Sequence, residues 1–175
     1  MAEQTAHWYV LGRSWPALEQ FKQGMSILGI MEAVSSCPNA FFNVLCHFFE
    51  KLTAEVFMNL FTIVLGDEGS NKRGTENLVM SYWNDYLQDV DEGEVTVTFS
   101  DISFFSCCCR EVPPLGLCLS LGFLHEPEDN GSQSNFPKAN TCAPMLQLPV
   151  THKSYSSFRD AMTFAIPNTK GFGYG

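Results

Sequence analysis

A chain of 175 residues with 10 Lys+Arg against 19 Asp+Glu carries a formal charge of −9. The length fits one domain or a small domain with an appendage, and 45% hydrophobic residues with 15 Phe argue against global disorder. The acidic balance argues against non-specific binding to nucleic acid or an anionic membrane surface, which needs clustered Lys and Arg, and no apolar run reaches a membrane span. The start, Met1-Ala2-Glu3-Gln4, has neither the basic opening nor the apolar stretch of a signal peptide. Seven Cys, an odd number without any Cys-x-x-Cys pair, point to reduced thiols and a cytoplasmic or nuclear setting.

In chain order, Leu18, Phe21, Met25 and Leu28 recur at 3-4-3 spacing and predict one helical face. Pro38-Asn39 punctuates the chain, with Asn39 as an N-cap. Behind it Phe41, Leu45 and Phe48 form one stripe and Phe42, Cys46 and Phe49 another. Thr53 is positioned to cap a further helix whose apolar face is Val56, Phe57, Leu60, Phe61 and Val64. These wide aromatic stripes read as core or interdomain packing. The polar, glycine-rich stretch 66–74 reads as a linker. A helix capped by Thr75 then presents Leu78, Val79, Tyr82, Trp83, Tyr86 and Leu87, and ends in the acidic cluster Asp85, Asp89, Asp91, Glu92 and Glu94 around Gly93, read as a solvated end.

Beyond Gly93 the period changes. Val95, Val97 and Phe99 alternate as a short strand or extended entry, and Thr98 to Asp101 has capping-box spacing for a short helix through Ile102 and Phe105. Residues 112–116 form a turn, and Leu117, Leu119, Leu121 and Phe123 the clearest strand. A polar loop runs from Pro127 to about Lys138. Met145 to Leu148 is a second short strand closed by Pro149, and Ser154 opens a last helix with Tyr155, Phe158, Met162, Ala165 and Ile166 inward. Helices mixed with short strands after a helical lead give an α+β class.

Few residues invite chemistry. His7, His47, His125 and His152 are scattered and read as surface or satisfied polar groups. Cys107, Cys108 and Cys109 lack the gap that lets two thiolates face one ion, and a redox sensor built on Cys107–Cys109 is a third, disfavoured reading because adjacent cysteines rarely meet disulfide geometry. No cofactor or metal is therefore expected. Cys142 differs, because Pro137 and Asn140 mark irregular backbone ahead of it. That setting makes its thiol a nucleophile candidate, against the plain alternative of a buried small hydrophobe.

Several pieces then resemble the carboxyl-terminal lobe of a HECT-type ubiquitin ligase. They are Phe136-Pro137-Lys138-Ala139-Asn140-Thr141-Cys142, Leu146 to Pro149, Tyr155 to Ile166, and the closing Gly171-Phe172-Gly173. Trp83, Phe105 and Val112 to Gly116 agree in order. The stretch Leu18 to Gly24 resembles the end of the family's larger amino-terminal lobe, so the likeness covers roughly 16–175. It implies a small α+β lobe of helices around a short-stranded sheet over 75–175, a hinge at 67–74, and a helical remnant of the other lobe over 1–66. It also implies a ubiquitin-protein ligase whose Cys142 takes ubiquitin from a ubiquitin-conjugating enzyme as a thioester and yields it to a lysine of a protein substrate. Thr141 and Asn140 would support the nucleophile, and Phe172 would position the acceptor step or simply anchor the tail.

The sequence departs from the family pattern at Ala143, where a bulky aromatic is common, and at Cys107-Cys108, where Thr-Gly is usual. About 65 leading residues cannot hold a complete amino-terminal lobe, so a piece of a longer protein or a natural fragment is expected. The alternative function is a catalytically impaired module that binds ubiquitin or a partner.

Overall fold

The structure, a computed structural model of the chain, describes residues 8–46, 52–113, 116–125 and 134–168. The chain divides into two compact units, 1–49 and 50–175.

In the first unit a π-helical turn, Trp8–Gly12, leads into α1 (Arg13–Ile27), α2 (Ile30–Ser36) and α3 (Pro38–Leu45). Gly29 separates α1 from α2 at φ +69°, a left-handed value that glycine adopts without strain. Pro38 occupies the first position of α3, where its missing N–H costs nothing, so the cap is Cys37 and not Asn39. The stripe predicted over Leu18–Leu28 does lie largely on one helix, yet neither α1 nor α2 buries a residue, and Phe21 stays 60% exposed. Helices of 15, 7 and 8 residues without a sheet do not enclose a core. Phe48, Phe49 and His47 lie outside the described residues.

The second unit holds the core. Thr53 caps α4 (Ala54–Met58), its hydroxyl accepting from the Val56 N–H at 3.3 Å. The predicted helix does not run on to Val64. Residues Phe61–Ile63 form β1, which pairs in parallel with β2 (Leu119–Leu124) at Phe61↔Leu119, Thr62↔Ser120 and Ile63↔Leu121. A ladder partner from 58 residues away overrides the local helical period. Such a contact is invisible to any sequence window.

Residues 67–74, expected as a hinge between units, lie inside the second one. A turn runs to Ser70, whose hydroxyl caps α5 (Asn71–Glu92) by accepting from the Arg73 N–H at 3.4 Å. The helix thus starts before Thr75 and takes in Gly74. Gly93 at φ +75° stops it. Its acidic end is less solvated than the charge run suggests. The Asp91 carboxylate accepts from the Ala54 N–H at 2.8 Å. Asp89 accepts from the Tyr155 hydroxyl at 2.5 Å and pairs with Arg159 at 3.0 Å. Burial and the Asp89 contact push the Tyr155 hydroxyl up, keeping it a donor.

Residues 95–98 make no ladder. Val97 is buried along an extended entry to α6 (Phe99–Cys107). The capping box is present: Thr98 Oγ1 accepts from the Asp101 N–H at 3.2 Å, and the Asp101 carboxylate accepts from the Thr98 N–H at 3.0 Å. Thr98→Ala is expected to cost about 1 kcal/mol in chemical denaturation, with Thr98→Ser close to wild type.

Two further strands complete a four-stranded mixed sheet of order β1-β2-β4-β3: β3 (Lys138–Asn140), which the polar composition concealed, and β4 (Met145–Pro149). β4 runs parallel to β2 and antiparallel to β3. Leu119, Leu121, Leu146 and Leu148 are wholly buried. The closing helix α7 (Tyr155–Asn168) inserts Phe158, Met162 and Ile166. An aromatic chain links the layers, running Phe99–Phe57–Phe61–Trp83–Tyr86–Phe158 with ring centroids 4.9–6.4 Å apart. The α+β expectation holds.

Candidate functional site

β3 and β4 form a hairpin whose last pair is Asn140↔Met145, leaving Thr141, Cys142, Ala143 and Pro144 as its tip. Asn140 organises that tip. Its Oδ1 accepts from the Cys142 N–H at 3.1 Å and the Ala143 N–H at 3.2 Å, the local side-chain turn that asparagine favours. Pro144 ties the far side to the sheet, its carbonyl accepting from the Ser120 N–H at 2.9 Å. The Cys142 thiol is exposed, Thr141 half-buried and Asn140 exposed. The result is a thiol on a short loop whose ends are fixed by two sheet ladders and whose crest is fixed by one amide.

The segment entering β3 is held as well. His152 is buried, with Nε2 donating to the Asn135 carbonyl at 2.9 Å and Nδ1 2.8 Å from the Ser157 hydroxyl. Its ring also stands edge-on to Phe158 at 5.9 Å. This histidine joins the start of the hairpin to the start of α7. Its partner lies 17 residues back in a polar loop, so spacing gives no signal for it.

A second polar cluster lies at the other end of β2. His125 Nε2 sits 2.7 Å from Glu76 Oε1, giving His125 the partner that its sequence surroundings do not offer. Glu76 Oε2 accepts from the Gly66 N–H at 2.8 Å, and the Arg73 guanidinium donates to the Gly66 carbonyl at 2.7 Å. Burial by itself would raise the Glu76 carboxyl. The Gly66 N–H, His125 and Arg73 outweigh it and hold the group below its ordinary value of 4.5. A carboxylate lowered by folding stabilises the fold fully above 4.5, and that contribution fades as pH falls through the lower folded value. Glu76→Gln is therefore expected to flatten the acid limb of a stability-versus-pH curve by lowering its neutral end while leaving its acid end nearly unchanged.

Among the predicted site residues, Asn140, Thr141 and Cys142 come together at the hairpin tip, and Phe172 lies outside the described residues. Exposure alone does not single out Cys142, since Cys37, Cys46, Cys108 and Cys118 are exposed too. What differs is the backbone around it. The described residues contain no group of three or more potential metal ligands, and no described helix is long and apolar enough to cross a membrane.

Comparison with known proteins adds a family. Residues 100–175 match the family model "HECT-domain (ubiquitin-transferase)". The chain is 35% identical over 163 residues to the G2/M phase-specific E3 ubiquitin-protein ligase of Macaca fascicularis, covering 93% of this chain and 21% of the relative. It is 36% identical over 161 residues to the protein of that name from Gallus gallus, covering 92% of this chain and 20% of the relative. The chain thus spans about a fifth of the length of these relatives.

Proposed function

Residues 100–175 of this chain belong to the HECT family, and from that premise we propose that the chain is part of a ubiquitin ligase that works through a thioester on Cys142. The observation that carries the proposal is the hairpin tip: an exposed thiol whose own N–H and the next are both taken up by Asn140. In the first step the Cys142 thiolate attacks the thioester carbonyl that joins ubiquitin to a ubiquitin-conjugating enzyme. A new C–S bond forms at Cys142, the old C–S bond breaks, and the enzyme's sulfur leaves and takes up a proton. In the second step a lysine amine of the protein substrate attacks the new thioester. The amide C–N bond forms, the amine proton goes to solvent or a base, and Cys142 departs as thiolate. Sulfur suits both roles, as a strong nucleophile near neutral pH and a good leaving group.

Asn140 and Thr141 are the supporting residues in this reading, with Phe172 in the acceptor step. Asn140 fixes the crest, so that the thiol meets the incoming carbonyl without the loop first having to be ordered. Asn140→Ala is expected to slow loading of Cys142 while leaving the thermal unfolding midpoint nearly unchanged, because the amide is exposed and serves only the tip. A matched loss of stability and loading rate would contradict this role.

The test is direct. Mixing the chain with ubiquitin-charged conjugating enzyme is expected to give an adduct that a thiol reductant removes. The second reading is a catalytically impaired module that binds ubiquitin or a partner without transfer. That reading predicts ubiquitin binding with no adduct at any time point.

A further inference from the structure

The cysteine triplet at the end of α6 is the strongest feature that the transferase reading leaves unused. Among the described residues Cys108 is the only non-glycine with positive φ, at φ +61° and ψ +9°. It terminates α6 in the left-handed region, its N–H donating to the Phe104 carbonyl at 2.9 Å. An ordinary side chain there costs about 1–2 kcal/mol relative to the right-handed region. The geometry of that turn decides which thiols can meet. Helical dihedrals of either hand place the two flanking Cα atoms about 5.4 Å apart, as follows from a rise of about 1.5 Å per residue on a radius of about 2.3 Å. That separation falls inside the range of about 4.4–6.8 Å that a disulfide spans. Neighbouring residues, with Cα atoms about 3.8 Å apart, fall short of it. The triplet therefore contains one bridgeable pair, the outer one.

The surroundings agree. Both the Cys109 N–H and the Cys109 thiol interact with the Cys107 sulfur, which also reaches the Ser103 carbonyl at 3.2 Å. Arg110 lies over the Phe104 ring at 4.4 Å and pairs with Asp101 at 3.6 Å, which holds the chain beyond the turn back against α6. Cys107 and Cys109 are half-buried while Cys108 points outward. Cys118, by contrast, contacts the Thr62 hydroxyl at 3.8 Å.

We propose that Cys107 and Cys109 form a reversible dithiol–disulfide site, oxidised by peroxides, with the left-handed Cys108 as its fixed spacer. Its chemistry takes two steps. One thiol attacks the peroxide O–O bond, becoming a sulfenic acid and releasing an alcohol or water. The other then attacks that sulfur, the S–S bond forms, the S–O bond breaks, and the displaced oxygen leaves as water with the second thiol proton. Burial pushes the Cys107 thiol up, which disfavours its thiolate as the first group to attack the peroxide. The site does not depend on the transferase reading, since α6 and its turn are formed by the fold itself.

Peptide mapping of the full chain tests it. The chain is treated with hydrogen peroxide, remaining thiols are alkylated, and the 107–109 peptide is weighed. Wild type and Cys108→Ser are both expected to lose two hydrogens across Cys107 and Cys109, and a reductant is expected to restore them. Cys107→Ser and Cys109→Ser are expected to show no internal bridge. A bridge that vanishes in Cys108→Ser, one that joins Cys107 or Cys109 to Cys142 or to a second chain, or oxidation past sulfenic acid without a bridge would each overturn the proposal.

Discussion

Trp83→Ala is expected to destabilise the second unit by about 3–5 kcal/mol, a large share of the roughly 5–15 kcal/mol that holds a domain together. Trp83 has no exposed surface. It stands edge-on to Phe61 of β1 at 5.9 Å and stacks on Tyr86 at 6.2 Å, so one ring joins the sheet edge to α5. Truncation leaves a cavity between elements that cannot close without moving the ladder. Phenylalanine at the same position is expected to cost much less. It keeps most of the apolar contact and removes the buried indole N–H, for which no hydrogen-bond partner is present among the described residues. An unpaired buried donor costs about 1–3 kcal/mol, which offsets part of the lost ring. Urea unfolding followed by circular dichroism checks both values. A Trp83→Phe variant as damaged as Trp83→Ala would show that the indole N–H has a partner.

The second large effect is on chemistry. Cys142→Ala is expected to abolish the ubiquitin adduct while leaving the unfolding free energy within about 0.5 kcal/mol of wild type, since the side chain is exposed. Cys142→Ser sharpens the point. If the hydroxyl accepts ubiquitin at all, the product is an oxygen ester that survives thiol reductants and yields to hydroxide, whereas the wild-type thioester yields to both. Loading of Cys142→Ala at the wild-type rate would contradict the assignment.

What the sequence reveals depends on the range of the interaction that sets each feature. Caps and periods are local. The Thr53 cap, the Thr98–Asp101 box, the α5 stripe through Trp83 and the β2 alternation through Leu119 and Leu121 are all legible, because each is settled within a few residues. β1 and β3 are not, since three residues carry almost no pattern and both exist through partners far away in the chain. The linker reading of 66–74 follows composition faithfully but cannot see Glu76 and Arg73 fastening Gly66. For the site, the sequence places Asn140, Thr141 and Cys142 together because they are adjacent. It cannot say that they form a hairpin tip. His152 stays hidden altogether, for its role lies in reaching the backbone of Asn135.

The central claim is that ubiquitin is carried on one thiol out of seven. The most direct measurement digests the wild-type adduct under conditions that preserve thioesters and identifies the residue bearing the ubiquitin remnant by mass spectrometry. The account predicts Cys142 alone. A remnant on Cys37, Cys46, Cys108 or Cys118, the other exposed thiols, would contradict it.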